Sequence, residues 1–95
     1  MPGSADDGPP VEIVIYPDGG GWRHSVLTKK GGLLCGRLPS VTASDSDEVA
    51  RDEATRLVLR IGAKYFEIGL EVEWAPADEP GWWVGTVTRL NGQPL

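Results

Sequence analysis

Residues 65 to 74, YFEIGLEVEW, alternate more cleanly than any other part of the chain. Phe66, Ile68, Leu70, Val72 and Trp74 fall on one side, with Glu67, Gly69, Glu71 and Glu73 on the other. Side chains of a strand point alternately to its two faces, so this segment predicts a strand over 65–74 with one buried face and one row of carboxylates. Such a strand asks for a sheet that is covered on a single side.

The segment that supplies the cover lies just upstream. Val49, Ala50, Ala54, Leu57, Val58 and Ile61 fall within half the circumference of a helix. Asp45 and Glu48 have the N-cap and N3 spacing of a capping box, and Gly62 is the expected stop. Asp47–Arg51 and Asp52–Arg56 are acid-before-base pairs four apart, expected on the solvent side.

Four further segments read as strands. Val11 to Tyr16 is β-branched and aromatic, with Val11, Ile13 and Ile15 on one face. Trp22 to Thr28 follows, then a short strand from Leu33 to Leu38 that ends before Pro39. The last strand is 82–90, where Trp82, Val84, Thr86, Thr88 and Leu90 share the face expected to be buried. That phase turns Trp83 and Val87 outward, beside Tyr16 and the glutamates.

Pro17-Asp18-Gly19-Gly20-Gly21 is the nearest thing here to a phosphate-binding loop. A phosphate cradle needs a helix N-terminus behind its glycines, and strand residues follow Gly21 instead. The segment is therefore expected to be a hairpin turn that binds no nucleotide. Lys29-Lys30-Gly31-Gly32 marks a second turn.

The predicted fold class is α+β: one antiparallel or mixed sheet in the order β-β-β-α-β-β, with one amphipathic helix on one face. The strand over 65–74 is expected beside the first strand. Residues 1–10, rich in proline, glycine and aspartate, are expected to be a disordered tail, 11–90 one domain, and 91–95 a frayed end.

Net charge is −5, which repels phosphate backbones, so nucleic acid is not an expected partner. A basic protein is the more natural one. One cysteine leaves no internal disulfide and no cysteine-based zinc site, residues 1–10 lack the charge and apolar run expected of a signal peptide, and no apolar run approaches the length expected of a membrane span. The expected location is the cytoplasm, with no cofactor, no metal and no membrane partner.

His24 and Cys35 are the one pairing that resembles a base and a nucleophile. In Leu-Leu-Cys-Gly, however, Cys35 reads as a small core hydrophobe, so no catalytic residue is assigned. Glu67, Glu71 and Glu73, two to four apart on a strand, are too widely spaced for one small ion without other ligands. They read either as a solvated face or as an acidic strip for a basic partner. Trp83, turned outward, is a candidate anchor for a partner.

The stretches VEIVIYPDGGGW and GRLPSVTASDSDEVARDEA, with the helix that follows, resemble the HicB-type antitoxin fold over the N-terminal half of the chain. The KKGGLLC segment has no counterpart there, and a carboxylate-faced hairpin occupies the place of the family's DNA-binding module. The resemblance implies an acidic domain that masks a basic partner. Taken together, the expectation is a non-enzymatic interaction domain that binds a basic protein, or itself, through the open sheet face. Its anchors are Tyr16 and Trp83, with Val87 also at the partner-binding face and Glu67, Glu71 and Glu73 steering the partner. The alternative is a small-molecule-binding protein or enzyme with a pocket between helix and sheet near His24 and Cys35.

Overall fold

The computed structural model describes residues 8–42 and 44–95. It contains β1 (Pro10–Asp18), β2 (Gly21–Thr28), β3 (Leu33–Thr42), α1 (Asp47–Ile61), β4 (Leu70–Pro76) and β5 (Trp83–Arg89). All strand pairs are antiparallel, in one sheet ordered β3-β2-β1-β5-β4. This is the α+β fold expected from the sequence. The neighbour of β1, however, is β5, and β4 lies at the edge, because β4 and β5 form a hairpin that inserts by its second strand.

The turn between β1 and β2 is tight: Asp18 pairs with Gly21, and Gly19 takes a φ of +59° that glycine adopts without strain. Hairpin geometry, with no helix behind it, is what the glycines serve. β1 begins earlier than expected, since Pro10 is its first, buried residue and the Pro9 carbonyl accepts from the Lys29 N–H at 2.9 Å. The rest of the expected tail, 1–7, lies outside the described residues. β3 runs past Pro39 to Thr42, bending at Ser40, where φ is +66°. At the other end the chain turns back at Gly92 instead of fraying, and Leu95 packs against the core.

α1 starts one residue later than the capping-box reading. Ser46 is the N-cap and accepts from the Val49 N–H at 3.3 Å, while Asp45 accepts from the Thr42 N–H at 2.8 Å. Ala50, Ala54 and Val58 are buried against the sheet, the two alanines permitting close approach over Ile13 and Ile15, which are fully buried. Gly62 does not stop the helix. Its φ is −59°, and the chain continues as a π-helical turn over Gly62–Phe66 before Glu67 ends it at φ +54°. Gly62 is there for space: a Cβ would meet Leu70 Cδ1 at 2.6 Å.

That continuation overturns the strand reading of 65–69. Glu67 caps the helical segment and is not in line with Glu71 and Glu73. The phase of β5 is also reversed. Ile15 pairs with Trp83 and Ile13 with Gly85, so Trp83, Gly85 and Val87 lie on the helix-covered face, and Val87 is only 3% exposed. Trp82 and Val84 face outward instead.

Two indoles fasten the helix to the sheet. Trp83 donates from Nε1 to Asp47 Oδ2 at 3.2 Å and carries the Arg51 guanidinium 3.9 Å above its ring. Trp74 donates to Thr55 Oγ1 at 3.0 Å, and that hydroxyl donates to the Arg51 carbonyl. Arg51 pairs with Asp47 at 3.7 Å as expected, but against the indole rather than out in solvent. Arg56 pairs with Glu53 and not with Asp52.

Candidate functional site

The face of the sheet opposite α1 has no covering element among the described residues. The strand register arranges it in cross-strand rows. The first row, from β3 to β4, reads Leu33, Leu27, Glu12, Thr86, Glu73. The second reads Cys35, Ser25, Val14, Val84, Ala75. The third reads Arg37, Arg23, Tyr16, and Trp82 enters it from the residue preceding β5. Thr88 and Glu71 extend the β5–β4 corner beyond the first row. None of these side chains is buried.

Local structure fixes the ends of the rows. Tyr16 and Trp82 stack, with ring centroids 4.3 Å apart and planes inclined by 19°. Trp82 is held there by the 77–82 connection, in which its N–H donates to the Glu79 carbonyl and its carbonyl accepts from the Ala77 N–H. Arg23 bonds the Asp18 carboxylate, and Arg37 donates to the Asp18 carbonyl at 3.1 Å. At the opposite corner Glu71 and Glu73, with Thr86, Thr88 and Gly92, line a shallow depression of about 390 Å³.

Of the residues expected at the site, Tyr16, Glu71 and Glu73 share this face. Trp83 and Val87 lie on its far side beneath α1, and Glu67 sits at the end of the π-helical turn. Trp82, Val84, Thr86, Thr88 and Cys35, expected to be buried, lie on the open face instead, and Arg23 and Arg37 are members that sequence reasoning did not assign to the site. No local signal marks them: which residues of β5 lie inward follows from their register against the buried Ile13 and Ile15.

His24 and Cys35 do not meet. His24 pairs with Gly36 on the helix-covered face, while Cys35 pairs with Ser25 on the open face and is exposed. Cys35 is thus not the core hydrophobe expected, and the thiol and imidazole occupy opposite sides of the sheet. A pocket between helix and sheet that joins them is excluded by that parity. His24 Nδ1 is buried without a partner, and burial lowers the imidazole's pKa below 6.5. A second depression of about 200 Å³ is lined by Leu57, Arg60 and Ile61 of the last turns of α1 and by Lys64 and Tyr65 of the π-helical turn.

No group of three or more His, Cys, Asp or Glu among the described residues is placed to hold a metal ion. No described helix is long and apolar enough to cross a membrane. No family model, curated protein or solved structure matches the chain.

Proposed function

We propose that this chain is a small, cytoplasmic, non-enzymatic interaction domain that docks the open face of its sheet on a folded protein surface. The observation that carries the reading is the unburied Tyr16–Trp82 stack beside Val14 and Val84, an apolar centre with charges at its margins. Apolar centres with polar rims are the usual anatomy of protein interfaces. Tyr16 and Trp82 are the anchors, and Glu71 and Glu73 orient the partner.

The partner's chemistry differs from the expected one in a specific respect. Arg23 and Arg37 stand on the same face as the glutamates, so a surface that is basic throughout would meet like charge at one corner. The matching surface is basic opposite Glu71 and Glu73 and acidic opposite Arg23 and Arg37. Masking of a basic patch, as the resemblance to HicB-type antitoxins implies, would use the glutamate corner alone.

A photo-reactive side chain tests the reading. Placed at Thr86 on the open face, in cells that produce the protein, it is expected to form protein adducts. Placed at Asp52, exposed on α1, it is expected to form none. Adducts from Asp52 alone, or from neither position, contradict the proposal.

A further inference from the structure

The open face has four unlike corners. Leu33 and Leu27 make one, and Arg37 and Arg23 the next along β3 and β2, where the Asp18 carboxylate beside both guanidinium groups leaves a net charge of one positive. Across the sheet, Glu73 and Glu71 make the third, and Tyr16 with Trp82 the fourth. The acidic and basic corners are therefore diagonally opposed, roughly 20–25 Å apart at ~4.8 Å per strand and ~3.4 Å per residue. The apolar corners occupy the other diagonal, joined through Val14 at the centre. Leu33 is 61% exposed, high for a leucine at one end of such a stripe.

We infer that the surface covering this face is a second copy of the same chain, packed face to face about a two-fold axis along the apolar diagonal. The inference rests on the reading of the open face as a binding surface. A two-fold axis in the plane between the sheets has four simple placements. Along the strands it sets Glu73 opposite Leu33 of the second copy. Across the strands it sets Arg37 opposite that leucine. Along the diagonal it sets Arg37 of each copy over the Glu12–Thr86–Glu73 row of the other. Along the acidic–basic diagonal it sets Arg37 against Arg37 and Glu73 against Glu73, so only the third placement matches opposite charges and apolar surface with apolar surface, as an isologous contact must.

The strands of the two sheets then cross near a right angle, one of the two ways in which sheets pack face to face. The face is roughly 20 Å on a side by the same spacings. Its projected area is thus on the order of 400–500 Å² per copy, so the pair buries roughly 1,000 Å² in all, the lower bound for a specific interface. A chain this short gains most from such burial.

Charge exchange tests both the occupant and the axis. The unchanged chain is expected at twice its 10.2 kDa mass by sedimentation. Glu71→Arg/Glu73→Arg and Arg23→Glu/Arg37→Glu are each expected at the single-chain mass, and an equimolar mixture at the two-chain mass. Thermal melts show that each variant is folded. Arg37→Glu alone, which keeps the Arg23–Asp18 pair, replaces the second double variant if that one does not fold. An unchanged chain that stays at single-chain mass at the highest attainable concentration overturns self-pairing, while the cross-linking test of the open face stands apart from it. A two-chain mass that survives both exchanges, or that the mixture fails to recover, overturns the diagonal axis.

Discussion

Tyr16 and Trp82 stack on the face that α1 leaves open, while Trp83, one residue on, donates its indole N–H to Asp47 on α1. Adjacent residues of one strand edge thus divide two tasks. Trp83 belongs to stability and Trp82 to the proposed interface.

Trp83→Ala removes the indole that meets Asp47 and Arg51, and its cost is expected near 3 kcal/mol, at the low end for truncation of a large aromatic. Trp83→Phe keeps a ring under Arg51 but loses the N–H, and should cost about 1 kcal/mol. Urea denaturation of both variants checks the order. A Trp83→Ala variant as stable as the unchanged chain would remove Trp83 from the core.

Gly85 lies in the middle of β5 on the covered face, where a Cβ would approach Val72 Cγ1 to 2.5 Å and Ile13 Cγ2 to 2.9 Å. Gly85→Ala therefore overpacks the core and is expected to cost about 1–3 kcal/mol, despite alanine's better strand propensity. A rise in melting temperature would contradict the packing described here.

That glycine also explains why β5 was misread. Trp83-Gly85-Val87 has a hole where a large apolar residue is usual, so Trp82, Val84 and Leu90 looked like the inward set. The hole is filled by Val72, Ile13 and Trp74 from neighbouring strands, which no local pattern reveals. Gly62 misled in the same way, since it makes room for Leu70 and does not end the helix. Gly36, beneath His24, belongs to the inward phase of β3 that sends Cys35 outward. The helix, the glycine hairpin and the covered face of β4 were legible because each depends on local periodicity or turn chemistry. The open face was legible only in part, since its membership depends on cross-strand register.

His24 makes stability depend on pH. Its folded-state pKa lies below 6.5 because burial disfavours the cation. Above 6.5 the imidazole is neutral in both states. As pH falls through 6.5 the unfolded chain binds a proton that the folded chain does not, so stability declines until the folded-state pKa is passed. Urea midpoints taken from neutral pH down to about pH 5, above the main carboxylate range, should fall more steeply for the unchanged chain than for His24→Gln. Equal slopes would show that His24 is no more buried than in the unfolded chain.

Cys35, exposed beside Ser25, should react with a thiol reagent in the folded single chain nearly as fast as in denaturant. Because it lies in the central row of the open face, the rate should fall as protein concentration rises. Slow labelling of Glu71→Arg/Glu73→Arg held at single-chain mass would return Cys35 to the core.

The most direct test of the open face as the binding surface compares the two tryptophans in one assay. Trp82→Ala should keep most of its melting temperature, losing about 1 kcal/mol with the Tyr16 stack. It should also lose the adducts formed from a photo-reactive side chain at Thr86. Trp83→Ala should lose stability yet form those adducts in proportion to its folded fraction. Adduct yields that are unchanged in Trp82→Ala and abolished in folded Trp83→Ala would place the binding surface on the helix side and contradict the account.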